Sequence, residues 1–105
     1  MAVKRQRSSG NVFRDLGFSP ERAESLRLRA ALMVQIKRLM HVRHLTQSVA
    51  AEMFGVSQPR ISDLVRGKID LFSLDTLVDM LGRSGMRVQL RVNRRRRHAN
   101  RPAAA

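Results

Sequence analysis

The chain of 105 residues contains no cysteine, so disulfides and thiolate metal sites are excluded, and a reducing compartment suits it. It has no apolar run near the length of a membrane span. The basic stretch Met1 to Arg7 is not followed by an apolar segment of signal-peptide length, so a cytoplasmic protein with no membrane partner is expected. The parts of a catalytic site are also missing. No nucleophile stands with a base and an orienting carboxylate, and there is no glycine-rich phosphate loop or zinc-protease motif. No enzymatic activity and no cofactor are expected. His41 and His44 lie three apart without a Cys or carboxylate at ligand spacing. They read as helix-end histidines facing the dipole, and no metal site is expected.

Acid is scarce, and its distribution is informative. The net charge is +13, from 21 Lys and Arg against 8 Asp and Glu. All the acids fall between residues 11 and 82, where the charge is near balance. The first ten residues hold Lys4, Arg5 and Arg7, and the stretch from Arg83 onward is rich in arginine and free of acid. Basic ends flanking a near-neutral domain suit phosphate, which arginine binds bidentately, and phosphate contacts dominate nucleic-acid affinity. A solvated tail that aids solubility would carry the same charges.

The chain is organised around Gln47 to Gly67, which reads as a helix, a glycine turn and a second helix. Thr46 can cap the first helix, and Val49, Ala50, Met53 and Phe54 recur at helical spacing. Gly55 supplies the left-handed turn and Val56 plugs the corner. Ser57 can cap the second helix, Pro59 is tolerated in its first turn, and Ile61, Leu64 and Val65 form its inner face. A small residue, a glycine and a branched apolar residue stand at the fifth, ninth and fifteenth positions: Ala51, Gly55 and Ile61. Those positions let two helices cross closely, turn and anchor.

The flanking chain supplies the rest of a small bundle. Residues 1–10 are too poor in apolar side chains to pack and read as a disordered basic arm. Val12, Phe13, Leu16 and Phe18 make a short apolar segment that belongs against the chain's own helices or against a partner. Ser19, Pro20 and Glu21 start a long helix reaching about Arg43. Leu28, Leu32, Ile36 and Leu39 form one stripe on it, and Leu26, Ala30, Met33 and Met40 a second. His44 falls where a left-handed C-terminal residue is expected. After an apolar connection, Ile69 to Phe72, Ser73 caps a last helix carrying Leu74, Leu77, Val78 and Leu81 and ended by Gly82 and Gly85. The methionines read as core filler.

Then the period changes to two. Met86, Val88, Leu90 and Val92 alternate with Arg87, Gln89, Arg91 and Asn93, the pattern of a half-buried strand. No second strand is visible to pair with it, so the same strand of a second copy is the simplest partner, the edge of another protein's sheet the alternative. The expected fold is mainly α: about five helices in a repressor-like helix-turn-helix bundle, with one C-terminal strand pairing across a homodimer. Its parts are the arm 1–10, a domain over 11–85 with the motif at 46–67, a dimerisation strand at 86–93, and a basic disordered tail at 94–105.

A second helix set in the major groove of double-stranded DNA would read bases from Ser57, Gln58, Pro59, Arg60, Ser62 and Asp63. Gln58 can present a donor and an acceptor to adenine, Arg60 can fork onto guanine or phosphate, and Asp63 can accept from cytosine. Phosphate contacts are expected from Thr46, Gln47, Arg66 and Lys68, and from Arg94, Arg95, Arg96 and Arg97 along the backbone or in a narrow minor groove. A dimer would read two half-sites about 34 Å apart, hence a palindromic operator.

The spacing from Gln47 to Ile61 resembles the helix-turn-helix of the phage repressor and Cro group. In that group the first motif residue, here Gln47, contacts phosphate and braces the residue matching Gln58. Residues 8 to 93 as a whole resemble the XRE-family antitoxins of type II toxin–antitoxin operons, the HigA-like group. The pieces that carry this are SSGNVFRDLGFSPERAE, LTQSVAAEMFGVSQPRISDLVRGK and FSLDTLVDMLGRSGMRVQLRV. The resemblance implies a dimeric repressor that autoregulates its operon and neutralises a RelE/HigB-like toxin. A toxin contact at Val12, Phe13, Leu16 and Phe18 or the first long helix fits better than attraction through net charge, because such toxins are themselves basic. A stand-alone phage or mobile-element repressor without a toxin, and a weakly specific DNA-coating protein, remain open alternatives.

Overall fold

The computed structural model describes residues 10–94. The readings for the arm 1–10, Gly10 apart, and for the tail with Arg95, Arg96 and Arg97 fall outside the described residues. The described chain forms α1 (Val12–Asp15), α2 (Pro20–Val42), α3 (Gln47–Phe54), α4 (Gln58–Val65), a 3₁₀ turn (Ile69–Leu71) and α5 (Leu74–Arg83).

Each α-helix starts and stops by the same local chemistry. A short polar side chain in extended backbone accepts from an amide of the opening turn: Asn11, Ser19, Thr46, Ser57 and Ser73. Thr46 Oγ1 accepts from the Val49 amide at 3.1 Å, and Ser57 Oγ from the Arg60 amide at 3.3 Å. At the other end a left-handed residue lets an amide reach back five residues. The Leu45, Val56 and Lys68 amides donate to the Met40, Ala51 and Asp63 carbonyls at 2.9, 3.0 and 3.0 Å. The left-handed residue is glycine after every α-helix but α2, where His44 has φ 53°. The place assigned to His44 from sequence is therefore the one it occupies.

These stops fold the helices onto one core, in which Met33, Ile36 and Met40 of α2 meet Ala50, Ala51 and Phe54 of α3, Ile61 and Leu64 of α4, Phe72, and Leu77, Met80 and Leu81 of α5. The two stripes read on α2 merge into one face. Ala23, Leu26, Met33, Ile36 and Met40 form its buried centre, while Leu28, Ala30, Leu32 and Leu39 are half-buried flanks. In α5 the register differs from the expected one. Met80 is buried and Val78 is exposed, and Gly82 lies inside the helix, which Gly85 ends.

Two expectations need correction. Residues 86–93 are not a strand, and among the described residues there is none. A strand exists only through ladder bonds to a second one, and the described residues offer no second segment to pair with it. Of the four apolar side chains, Val88 packs against the core, while Met86, Leu90 and Val92 are 43%, 78% and 94% exposed. The segment at Val12 to Phe18 folds back on α2 only in part. Asn11 is buried and its Nδ2 donates to the Ala23 carbonyl at 3.2 Å. Phe13 is half-buried and meets Phe18 edge-on, with ring centroids 6.3 Å apart. Val12, Leu16 and Phe18 stay exposed, because a helix of four residues cannot turn all of its apolar side chains to one neighbour.

A left-handed residue with a Cβ is strained, so His44→Gly should raise unfolding stability by about 0.5–1 kcal/mol. Gly55→Ala should lower it by about 1–2 kcal/mol, because its Cβ would meet Arg83 at Cδ and, at 2.7 Å, at Nε in addition to the strain at φ 72°. Urea denaturation followed by circular dichroism checks both, and opposite signs at the two sites are the expected result.

Candidate nucleic-acid interface

The junction between α3 and α4 takes three residues, Gly55, Val56 and Ser57. Gly55 ends α3 in the left-handed region, Val56 packs half-buried on the core, and Ser57 caps α4 at once. On either side Ala51, Phe54, Ile61 and Leu64 are buried, so both helices are held by their inner faces. The small Ala51 sits where α3 and α4 pack closely. Val49, read as part of the α3 stripe, is 46% exposed, and Ala51 takes its place in the core.

This arrangement leaves the other side of α4 open. Ser57, Gln58 and Pro59 are exposed at its start, and Ser62 and Asp63 are half-buried one turn on. With 100° between successive residues, Pro59, Ser62, Asp63 and Arg66 point away from Ile61 and Leu64, and Gln58 flanks them. Asp63 is not alone among these donors and acceptors: Lys68 Nζ lies 3.7 Å from its Oδ1. That pairing masks an acid which would otherwise repel phosphate. Arg60 turns toward the opposite flank, where its guanidinium carbon sits 4.8 Å from the centroid of the Phe72 ring. Thr46 is exposed and Gln47 half-buried at the start of α3, and Arg66 and Lys68 are exposed after α4.

The sequence-derived site therefore divides. Pro59, Ser62, Asp63 and Arg66 share the outer side of α4 with Ser57 and Gln58 at its start and Lys68 just beyond it, Arg60 lies apart on the flank against Phe72, and Thr46 and Gln47 mark the start of α3. Arg94 is exposed at the end of the C-terminal segment, and Val12, Leu16 and Phe18 belong to α1 and its exit, packed on α2. Phe72 was missed, because it reads as part of an apolar connection. The signal was present: Phe72 precedes the capping Ser73 and stands five residues before Leu77, the pattern of a hydrophobic staple, and both side chains are fully buried. Arg43 was also missed. It is exposed at the corner between α2 and α3, where its Nη1 lies 3.7 Å from Met53 Sδ.

A family model described as a helix-turn-helix domain matches residues 12–93. The chain belongs to this helix-turn-helix domain family. The match takes in α1 to α5 and the C-terminal segment to Asn93, so the elements flanking the motif are part of the family's domain. No curated protein matches the sequence. Among the described residues no helix is long and apolar enough to cross a membrane, and no three His, Cys, Asp or Glu side chains are grouped so that they could hold a metal ion.

Proposed function

We propose that this protein is a sequence-specific DNA-binding transcriptional repressor whose α4 enters the major groove. The observation that carries the reading is the division of α4 into two sides. Ile61 and Leu64 are fully buried, while the start of the helix presents Ser57, Gln58 and Pro59 to solvent with a polar edge continuing through Ser62 and Asp63. A helix kept only for stability has no use for that edge; a groove-reading helix needs it. Thr46 and Gln47 at the start of α3, with Arg66 and Lys68 after α4, supply phosphate contacts on either side of the groove, and the arginines from Arg94 onward extend them.

The reading includes a homodimer joined through residues 86–93. The support is physical: Leu90 and Val92 are among the most exposed large apolar side chains of the described chain, and with Met86 and Val88 they alternate with Arg87, Gln89, Arg91 and Asn93. Pairing with the same segment of a second copy would supply the ladder bonds that one copy lacks and cover these side chains. Two copies then present two α4 helices to two half-sites.

The role proposed in the cell draws on the other apolar surface. Val12, Leu16 and Phe18 remain 59%, 69% and 44% exposed beside the start of α2, which is costly unless a partner covers them. This supports an antitoxin that represses its own operon and holds a RelE/HigB-like toxin on that surface. If native mass spectrometry of the protein purified from its own locus shows a small basic partner at fixed ratio, and the partner is lost with Leu16→Asp, the antitoxin role stands. A clean homodimer leaves a stand-alone repressor.

Gln58→Ala should weaken binding to a duplex enriched by the wild-type protein from a random pool by about 1–3 kcal/mol and relax one base position. Equal weakening on scrambled duplexes contradicts base readout by Gln58. Leu90→Asp together with Val92→Asp should convert the dimer to monomer in analytical ultracentrifugation, with circular dichroism unchanged; a dimer that survives both places the interface elsewhere.

A further inference from the structure

Arg60 is the basic residue within α4, and it is held differently from its neighbours. Among the described residues no hydrogen bond or ion pair engages its guanidinium. The group that Ser57 caps is its backbone amide. The guanidinium instead lies over Phe72, a ring with no solvent exposure of its own. A cation over a ring is drawn to the negative face of the π system, and the contact holds the side chain without a hydrogen-bond acceptor. With no donor of the guanidinium engaged among the described residues, the fork remains available to an acceptor while the side chain has already given up much of its rotamer freedom. Ordering that would otherwise be lost on binding is already in place.

Position on the helix decides which acceptor. Arg60 is adjacent to the fully buried Ile61 and one turn before the fully buried Leu64, so it lies on the flank of the inner face. The residues that point into a groove are Pro59, Ser62 and Asp63, with Gln58 beside them. A rigid fork on the flank of a groove-seated helix meets the groove wall, which is sugar and phosphate, before it meets a base edge. We propose that Arg60 is a pre-positioned phosphate clamp and that Phe72, beyond its place in the core, is the residue that positions it. The proposal rests on the DNA-binding reading above and takes from Arg60 the base-reading role that sequence alone allows it.

The test uses the full-length protein with two probes, a duplex enriched by the wild type from a random pool and a scrambled duplex of the same composition. Binding is followed by fluorescence anisotropy from about 50 to 200 mM salt. Arg60→Ala should weaken both complexes alike, by about fivefold near 150 mM salt, and reduce the salt slope by about one. Phe72→Leu should weaken both in the same manner, and the double variant should bind no more weakly than Arg60→Ala. Loss of preference at one base pair with the salt slope intact would make Arg60 a base reader and overturn the clamp. Additive losses would show that Phe72 acts through the core alone.

Should Phe72→Leu fail to fold, the free wild-type protein still decides the positioning. The ring should shift the Arg60 Hδ resonances upfield in its NMR spectrum, and random-coil values overturn the stack. A wild type that binds DNA while Arg60→Ala leaves binding untouched overturns the clamp alone. A wild type that binds neither probe overturns the DNA reading and the clamp with it, while the upfield shift persists.

Discussion

The corner at Gly55 is the constraint on which the rest of the molecule depends. With φ at 72° the chain leaves α3 in a left-handed turn, and the Val56 amide closes it by donating to the Ala51 carbonyl at 3.0 Å. Two residues later Ser57 caps α4, so the direction of the second helix is fixed within one turn of the end of the first. Ala51 permits the close approach, and Phe54, Ile61 and Leu64 lock it from beneath. Arg83 of α5 lies across the outside of the turn, against the missing Cβ of Gly55. The exposed edge of α4 follows from this corner: Ile61 and Leu64, with Val65 beside them, fill the side facing the core, and Arg60 lies on Phe72, so Ser57, Gln58 and Pro59 are left to solvent.

How far the sequence carried the account depends on the kind of signal. Caps and stops are local, and Thr46, Ser57, Ser73, His44 and Gly55 all act in the structure as their types and spacing imply. Burial on a given helix is set by neighbours far along the chain. Hence Val78 and Met80 exchanged roles in α5, and Val49 of the α3 stripe stays exposed. The alternation over 86–93 was legible, but a strand is a relation between two segments, and the described residues hold no partner for this one. Phe72 illustrates a third case. Its staple pattern with Leu77 was written in the sequence, whereas its contact with Arg60 arises because the 3₁₀ turn at Ile69–Leu71 brings the chain back beside α4. The pairing of Asp63 with Lys68 depends likewise on the turn at Gly67, which returns Lys68 over the end of α4.

The distribution of surface chemistry gives the domain distinct ends. Around α4 the side chains are polar or basic, with the one acid of that helix paired. Along α1 and its exit they are apolar and open, and along 86–94 apolar and arginine side chains alternate in backbone without a ladder. A domain with so few aromatic residues gains little by exposing Phe18, Leu16, Leu90 and Val92 unless other chains cover them. Groove reading at α4, self-pairing at the C-terminal segment and partner docking at α1 would thus use separate surfaces, so a bound partner need not displace DNA. On the proposed reading the excess positive charge would add attraction to DNA at every sequence, and discrimination would fall to the short polar edge of α4.

The most direct measurement of the central claim is a titration of the isotopically labelled protein with a duplex enriched by it from a random pool, following the backbone amides by NMR at moderate salt. The account predicts the largest shifts at Thr46 to Ser48 and Ser57 to Asp63, with Asp75, Val78 and Asp79 on the outer side of α5 unmoved. Shifts confined to the basic ends, with the amides of α4 unchanged, would contradict it.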